Sequence, residues 1–294
     1  MRFAELVAVS GAVAATSARS EKTAAIAALL RQLQPRETDV VVGYLVGTPR
    51  QGRVGVGWAT ISKVRGTRAT EPTLDVLDVD DAIDRVLTTT GSGSVDARAT
   101  ILRALFSRAT AAEQEFLTHL LGGELRQGAN EGVMADAIAK AAEVPAAAVR
   151  RAAMLSGDLA RAAVVALTDG RAGLDAVTLV PGRAVQPMLA GSAATAGDAL
   201  GELGLASVEW KLDGARIQVH RVGDDVRVFT RNLNDVTERL PEVVSVARDL
   251  PIDRFVLDGE TLAMHDDARP VAFQDSMKRF GRQDPDSLPT VLRP

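Results

Sequence analysis

The sequence predicts an α+β protein with two domains, an all-helical N-terminal domain followed by a domain built on an antiparallel sheet. Apolar residues recur at helical spacing up to about residue 170, whereas short segments after about residue 205 alternate apolar and polar residues. Between them, residues 171–188 contain two prolines and little periodicity, which is typical of a domain boundary. We place this boundary after residue 182, so the domains are 1–182 and 183–294. Both segments are long enough for a hydrophobic core of their own.

The first domain is predicted to be a series of helices. Phe3, Leu6 and Val13 fall near helical spacing, and the next apolar segment ends before Pro35. The run VVVGYLVG resembles a buried strand when taken alone, but its helical neighbours favour a helix. Further helices are predicted over residues 78–88, 95–108, 110–122, 131–142, 145–155 and 157–167.

The second domain is predicted to begin with a short helix near 194–203 and to continue as strands. ASVEWKL and ARIQVHRV alternate apolar and polar residues, and VRVFTR pairs back after the tight turn Gly223-Asp224-Asp225. A helix over PEVVSVARDL and a strand over DRFVLDGETLAMH follow, and FQDSMKRF begins another helix. The tail Leu292-Arg293-Pro294 has no pattern that would close the sheet.

The composition is that of a globular protein and excludes several other classes. Hydrophobic residues make up 46% of the chain and charged residues 24%. No apolar run approaches the ~18–20 residues that a membrane span needs, and Glu5 interrupts the N-terminal apolar stretch, so we expect neither a membrane segment nor a signal peptide. The absence of cysteine excludes disulfides and thiolate zinc sites and is typical of the cytoplasm. The three histidines have no metal-ligand spacing.

The formal net charge of −4 gives no general attraction for nucleic acid, so a basic surface has to be local. Residues 1–182 contain equal numbers of basic and acidic residues, and several of the acids crowd between Asp75 and Asp84. Collecting acids in one stretch leaves basic residues elsewhere free to form a basic face. The residues expected on that face are Arg19, Lys22, Arg50, Arg53, Lys63, Arg65 and Arg68.

The strongest chemical signal is the segment Glu209-Trp210-Lys211-Leu212-Asp213-Gly214-Ala215-Arg216. A lysine follows a predicted strand and enters a turn whose glycine permits a close approach of a ligand. Lysine is a nucleophile only when neutral, so its pKa of about 10.4 must be lowered or its proton removed. Arginines and a metal-bound triphosphate beside it can do that. In such a setting the product would be a phosphoramide bond between the Lys211 nitrogen and a nucleotide phosphate.

The pattern Lys-x-Asp-Gly-x-Arg resembles the first motif of the covalent nucleotidyltransferases, which comprise DNA ligases, RNA ligases and mRNA capping enzymes. The segment Gln186-Pro187-Met188-Leu189-Ala190 resembles the opening of the adenylation domain in ATP-dependent DNA ligases. That opening, together with a helical leader, separates these ligases from capping enzymes and small RNA ligases. Other segments resemble the ligases in the same order, namely Phe229-Thr230-Arg231-Asn232, Phe255-Val256-Leu257-Asp258-Gly259-Glu260, and Phe273-Gln274-Asp275 followed by Phe280.

The helical half resembles the DNA-binding domain of the same family. Ala15-Thr16-Ser17-Ala18-Arg19, Tyr44-Leu45 with the glycines Gly47 through Gly57, and Leu125-Arg126-Gln127-Gly128 fall where that family has them. The implied partner is nicked double-stranded DNA. Sealing nicks anywhere requires binding that is independent of base sequence, so contacts to phosphates are expected. The residues predicted to bind DNA are Arg19, Arg53, Arg126 and Gly128.

The resemblance also implies a role for each residue that matches the nucleotide-binding motifs. Lys211 attacks the α-phosphate of ATP and expels pyrophosphate, and Glu209 accepts a hydrogen bond from the adenine amino group. Arg216 and Arg231 balance phosphate charge and help to position the 5′-phosphate of the nick. Glu260 binds the ribose hydroxyl or a metal ion.

Magnesium is implied because charge builds up on the pyrophosphate leaving group and a cation neutralises it without proton transfer. Asp213 and Glu260 are the candidate ligands, although Asp213 can equally serve the turn by bonding local backbone. Asp258 is interpreted as structural, and Trp58 and Trp210 as core or wall residues rather than stacking platforms. We expect a cytoplasmic, nucleoid-associated monomer.

The family continues after its third motif with an aromatic residue that stacks on adenine, two motifs with phosphate-binding lysines, and an oligonucleotide-binding domain. We find none of these in the sequence. We therefore expect an incomplete N-terminal portion of an enzyme, which by itself takes up AMP weakly and seals nicks little or not at all. Two alternatives stay open. One is a non-catalytic DNA-binding fragment, and the other is an RNA ligase or capping-type nucleotidyltransferase, which the large helical leader disfavours.

Overall fold

The computed structural model describes residues 1–52, 54–125, 127–188, 191–208 and 214–263, together with Arg269, Gln274 and residues 292–293. The chain forms two compact units. The first comprises Met1–Ala153 and Asp158–Val177, and the second comprises Met154–Gly157 and Thr178–Pro294. The predicted fold class, helices followed by an antiparallel sheet, is confirmed. The domain boundary after residue 182 stays a prediction.

Helices dominate the chain as far as Ala176, as the sequence predicts. The run VVVGYLVG is helical, and its helix begins with Pro35 and ends at Gly47, whose φ of 81° is the left-handed conformation that favours glycine. The last helix of this series runs to Ala176, further than expected, across a kink at Gly170. The helices are α1 (Phe3–Ala15), α2 (Arg19–Leu30), α3 (Pro35–Val46), α4 (Trp58–Val64), α5 (Val76–Thr88), α6 (Ser94–Arg108), α7 (Ala111–Gly122), α8 (Glu131–Ala142), α9 (Ala146–Ser156) and α10 (Leu159–Ala176).

Three aromatic rings from different helices meet in the core of the first unit. The ring of Phe3 on α1 lies edge-on to Tyr44 on α3 at 6.4 Å and to Phe116 on α7 at 5.6 Å. All three side chains are buried. Burial of a ring of this size contributes about 1.5–3 kcal/mol, so these contacts link helices that are far apart in sequence.

The backbone after α3 turns back against the helix at a glycine. The amide of Thr48 donates to the carbonyl of Gly43 at 2.8 Å, and a Cβ placed on Gly43 would lie 2.7 Å from the carbonyl oxygen of Thr48. Only a hydrogen atom fits in that space. The approach fixes the start of the glycine-rich segment 47–57.

The second unit contains an antiparallel sheet of β1 (Ala215–Val222), β2 (Asp225–Thr230), β3 (Arg254–Ala263) and β4 (Leu292–Arg293), in the order β2-β1-β3-β4. The hairpin predicted at Gly223-Asp224 is confirmed, since β1 and β2 pair from Val222 with Asp225 to Ile217 with Thr230. The tail does carry a strand, contrary to expectation, because residues 292–293 pair with the end of β3. The unit also contains α11 (Ala196–Leu203), a 3-10 turn (Thr237–Arg239) and α12 (Pro241–Asp249).

Two further predictions fall mainly outside the described residues. In the predicted strand ASVEWKL, residues 206–208 are irregular and the rest lies outside the described part of the chain. The helix predicted at FQDSMKRF also lies outside it, apart from Gln274.

The two faces of the sheet have different chemistry because side chains alternate along β1. Ile217 and Val219 are buried on one face in a cluster with Val243 and Val244 of α12. Arg216, which alternates with them, lies on the opposite face. The sheet therefore has an apolar face covered by a helix and a polar face that carries Arg216.

Among the helices that the structure describes, none combines the length and apolar character required to traverse a bilayer.

The close approach at Gly43 predicts opposite effects for two glycine-to-alanine substitutions in helices. Gly43→Ala should lower the free energy of unfolding by about 1–3 kcal/mol, because its Cβ collides with the backbone at Thr48. Gly11→Ala on α1 should raise it by about 0.5–1 kcal/mol, because open space surrounds that position and alanine favours the helix. Denaturant unfolding of both variants measures the difference. Equal stabilisation by the two would show that the approach at Gly43 imposes no constraint.

Candidate nucleotide and nucleic-acid sites

Three of the predicted site residues lie in a row across one end of the sheet. Arg216 on β1 is the Cα partner of Glu260 on β3. Arg231 directly follows β2, whose last pair with β1 is Thr230 with Ile217. It therefore lies at the same end of the sheet as Arg216, on the side of β1 opposite to β3. The antiparallel register thus brings together residues that are up to 44 positions apart in the sequence. The row forms the end of β1 that lies nearest in sequence to Lys211.

Arg216 is held by a carboxylate on the same face of the sheet. Its Nε and a terminal nitrogen donate to the two oxygens of Asp258 at 3.0 and 2.6 Å. Hydrogen bonding to Asp258 raises the pKa of the Arg216 guanidinium, so the group stays charged. The two side chains are 39% and 48% exposed, so an anion can still reach the guanidinium. The pair fixes the direction in which Arg216 presents its charge.

Gly214 connects the start of β1 to β3 by a close backbone approach. Its amide donates to Oε1 of Glu260 at 2.7 Å. A Cβ at Gly214 would lie 2.5 Å from the carbonyl oxygen of Thr261, so no larger residue fits without displacing the strand. The glycine that the sequence assigns to a close ligand approach is therefore already required by the neighbouring strand. Lys211, Glu209 and Asp213 lie outside the described residues.

The turn that presents Arg231 is strained at a residue the sequence did not single out. Leu233 has a φ of 62°, which is uncommon for a residue with a side chain. The turn is closed by the amide of Leu233 donating to the carbonyl of Thr230 at 2.9 Å and by the amide of Thr230 donating to the carbonyl of Asn234 at 3.0 Å. Arg231 is exposed on this turn. The positive φ of Leu233 leaves no hydrophobic pattern in the sequence, so it is seen only in the structure.

The carboxylates on this face fit one magnesium-binding role but not a closed metal cage. Glu260 is exposed, and one of its oxygens accepts from Gly214. Asp258 is committed to Arg216. In the described part of the chain no group of three or more His, Cys, Asp or Glu residues can hold a metal ion. Magnesium in nucleotide sites needs only one or two carboxylates, since phosphates and water supply the remaining ligands.

In the helical unit, Arg19 lies at the start of α2 beside a second arginine. Its Nε and Nη2 donate to Oδ2 of Asp136 on α8 at 3.1 and 2.7 Å. Arg150 on α9 donates to the other oxygen of the same carboxylate. Arg19 is 58% exposed. Two positive charges share one negative charge here, so the cluster keeps a net positive charge facing solvent.

Gly128 lies within reach of the same helix start. Its φ is 76°, and a Cβ there would lie 2.4 Å from Nζ of Lys22, which donates to the carbonyl of Gln127 at 3.3 Å. Asn130 caps α8 by accepting from the amide of Val133 at 3.0 Å. The structure thus brings Arg19, Lys22 and Gly128 to the adjoining starts of α2 and α8. Arg53 and Arg126 lie outside the described residues.

The prediction that Arg50 belongs to a free basic face is wrong. Its guanidinium donates to both oxygens of Asp80 at 2.6–2.9 Å and also binds Asp84. Gln51 donates to the same two carboxylates at 2.7 and 3.0 Å. The acidic stretch on α5 therefore does not merely collect negative charge; it anchors the beginning of the glycine-rich segment 47–57.

Trp58 was predicted to be a core or wall residue; at 65% exposure it is not a core residue, and the wall role stays a prediction. It begins α4 directly after Gly57. Residues 47–49, 52 and 54–57, together with residues 120–123, line an open groove of about 640 Å³. Trp58 thus directly follows one of the glycines that line this groove.

Sequence reasoning also missed two buried polar residues on the face that carries Arg216. Gln218 and His220 are 5% and 1% exposed and bind the backbone of residues 182–185. The sequence could have indicated them, because Arg216, Gln218 and His220 occupy every second position of β1 and therefore share one face of the sheet.

Comparisons with protein families and curated proteins agree with this arrangement. A family model described as "ATP dependent DNA ligase domain" matches residues 187–291, and one described as "DNA ligase N terminus" matches residues 54–139. A probable DNA ligase of Pseudarthrobacter chlorophenolicus is 53% identical over the whole chain, which covers 58% of that protein. One of Saccharopolyspora erythraea is 52% identical over 97% of the chain, which covers 56% of it. The chain thus spans a little over half the length of these relatives.

A comparison with solved structures supports the fold. A structure titled "Pmar-Lig_Pre." superposes with a TM-score of 0.54 at 17% sequence identity, covering 98% of this chain and 55% of that one. At that identity the similarity concerns the fold alone.

The close approach at Gly214 predicts that this position tolerates no side chain. Gly214→Ala should lower the free energy of unfolding of the second unit by about 1–3 kcal/mol and weaken amide protection where β1 pairs with β3, because the new Cβ meets backbone. Gly201→Ala on α11, where open space surrounds the position, is the matched control and should not destabilise the unit. Hydrogen exchange and thermal unfolding provide the measurement. Unchanged protection at Thr261 in Gly214→Ala would contradict the prediction.

Proposed function

Because the chain belongs to the ATP-dependent DNA ligase family and spans a little over half of its relatives, we propose that it forms the N-terminal portion of an enzyme that seals nicks in duplex DNA through a covalent lysyl–AMP intermediate on Lys211. The observation that carries the proposal is the row of Arg231, Arg216 and Glu260 at one end of the sheet. This row combines two cations with a carboxylate, which suits a nucleotide with a charged phosphate end and a ribose. Lys211 lies three residues before Gly214 in the sequence, at the entry to that end.

The first step transfers AMP from ATP to the lysine. The neutral Lys211 nitrogen forms a bond to the α-phosphorus as the bond from that phosphorus to the bridging oxygen breaks, and pyrophosphate leaves with the electron pair. The proton lost by the nitrogen passes to solvent or to a nearby base. In the sealing steps the AMP moves to the 5′-phosphate of the nick, and the 3′-hydroxyl then displaces it.

The described residues support positioning and charge balance in this step. Arg216 is oriented by Asp258, so little side-chain entropy remains to be lost when it binds a phosphate oxygen. Arg231 is exposed on its strained turn and supplies a second positive charge. Oriented cations of this kind stabilise charge that develops on phosphate oxygens.

Magnesium is the metal we propose for the site. Glu260 would hold it together with the phosphates, and Asp213 is the second candidate ligand from the sequence. When bound, the ion neutralises charge on the leaving pyrophosphate. The exposed carboxylate of Glu260 supports this assignment.

We assign DNA binding to the helical unit. Arg19 and Lys22 supply positive charge beside Gly128, and the groove along segment 47–57 is open, with Trp58 at its edge. Arg53 and Arg126 are further candidates from the sequence. Charged contacts to phosphates with exposed backbone and few base contacts suit a protein that must act at any sequence. We propose a monomer that acts in the cytoplasm at the nucleoid, in DNA repair, replication and recombination.

Replacement of the nucleophile tests the chemistry. Lys211→Ala and Lys211→Arg should both abolish covalent uptake of label from α-labelled ATP, because neither side chain offers a neutral amine. Lys140→Ala, at an exposed lysine of α8, should keep the uptake of the parent. Mass spectrometry of the full protein after treatment with ATP and magnesium locates the adduct, and an adduct on any other residue would contradict the assignment.

The same assay separates the alternatives. Duplex binding by the parent without any AMP adduct would favour a non-catalytic DNA-binding protein. An adduct on Lys211 with sealing of nicked RNA in preference to nicked DNA would favour the RNA ligase or capping class.

Substitution of Arg19 tests the DNA surface. Arg19→Ala should weaken binding to nicked duplexes of unrelated sequence by a similar factor and reduce the slope of log affinity against log salt by about one, because one phosphate contact is lost. Arg171→Ala removes an exposed arginine of the same unit that is paired with Asp175, and it should leave the slope unchanged. A slope identical to that of the parent in Arg19→Ala would place Arg19 outside the interface.

A further inference from the structure

Two buried polar side chains on β1 hold a short stretch of backbone against the sheet. Gln218 and His220 point to the face that carries Arg216, and they are 5% and 1% exposed. The large majority of buried polar side chains in proteins are hydrogen-bonded. Their partners are in residues 182–185, which we call the strap.

Gln218 binds the strap in both directions. Its Oε1 accepts from the amide of Val185 at 2.9 Å, and its Nε2 donates to the carbonyl of the same residue. One side-chain amide therefore satisfies both backbone groups of Val185, as a neighbouring strand would.

His220 binds the strap in one protonation state only. Its Nδ1 accepts from the amide of Gly182 at 3.0 Å, so Nδ1 carries no proton and the proton resides on Nε2. Nε2 faces Oε1 of Gln218 at 3.3 Å, and Phe229 packs edge-on against the ring at 5.0 Å. A protonated imidazole would present a donor to the Gly182 amide, which is itself a donor.

The two anchors define the course of the strap. Gly182 binds His220, and Val185, further along the strap, binds Gln218, which comes earlier in β1. The strap therefore runs antiparallel to β1. A Cβ at Gly157 would lie 2.6 Å from the carbonyl oxygen of Ala184, which leaves the strap no room to shift there. At about 3.3 Å per extended residue, the chain comes level with Arg216 at positions 187–188.

We propose that Gln218 and His220 are positioning residues that hold the strap in one register over β1 only while His220 is neutral, and that this register sets residues 186–188 beside the nucleotide end of the sheet. The second half of the statement rests on the proposed function. The first half concerns the protein itself and can be tested without ATP.

The direction of the pH effect follows from burial. Burial lowers the pKa of His220 below its usual value of about 6.5. The charged residues nearest to it on the packed elements are Arg227 on β2, Arg254 and Asp258 on β3, and Arg183 in the strap. The unfolded chain binds the proton more readily, so the stability contributed by neutral His220 is complete above about pH 6.5 and is lost as the pH falls through the folded pKa.

Amide exchange measured by NMR between pH 5 and 8, corrected for intrinsic rates, tests the strap directly. The parent should lose protection at Gly182 on the acid side. His220→Leu removes the acceptor and should lower that protection about tenfold at neutral pH. His220→Asn places an amide oxygen near the position of Nδ1 and should restore protection without the acid loss. His119→Asn on the exposed face of α7 is the control and should reproduce the parent. An acid loss in His220→Asn equal to that of the parent would overturn the proposal.

The nucleotide half of the proposal is tested by AMP uptake in the full protein. His220→Leu and Gln218→Met should raise the KM for ATP about tenfold and leave the maximal rate within about twofold, whereas His220→Asn should keep the parent KM. An unchanged KM in variants that have lost strap protection would overturn this half. A parent that shows the expected exchange but takes up no AMP would refute the proposed function and leave the pH-sensitive strap standing.

Discussion

The alternation of side chains along β1 is the constraint on which the second unit depends. Ile217 and Val219 must face α12 to form a core, which commits Arg216, Gln218 and His220 to the other face. A shift of one residue in register would bury the arginine and expose the valine, so the hydrophobic effect fixes the positions of the polar groups as firmly as those of the apolar ones. The residues of the proposed site are therefore aligned by packing on the opposite, apolar face of the sheet.

Packing around Gly214 also fixes the start of β1, next to the segment Glu209–Arg216. The glycine lets two strands approach, and its amide engages the same Glu260 that stands opposite Arg216. The end of the sheet that we propose for the nucleotide is thus ordered by contacts within the protein, with Arg216 directed by Asp258. Such preorganisation reduces the entropy that substrate binding must overcome, and it explains why a short motif contains several residues whose roles are purely spatial.

Much of this arrangement follows from the sequence, and the exceptions have identifiable physical causes. Helical periodicity located most helices of the first unit but missed the short α4, and alternation with the Gly223-Asp224 turn located the hairpin. The partners of Arg50 were missed because an ion pair between residues 30 positions apart leaves no local pattern. The exposure of Trp58 was missed because composition favours burial of aromatic rings. The left-handed Leu233 is a property of tertiary strain, which no propensity encodes.

The carboxylate of Asp136 contacts two guanidinium groups, one from Arg19 and one from Arg150. When one partner leaves a lone ion pair, the other charge remains without compensation, and this cost opposes the departure. Here the second arginine remains in place when the first swings away. On this surface, which we propose for DNA, an incoming phosphate oxygen would recruit Arg19 while Arg150 still neutralises Asp136, so the exchange of partners would have a small electrostatic cost.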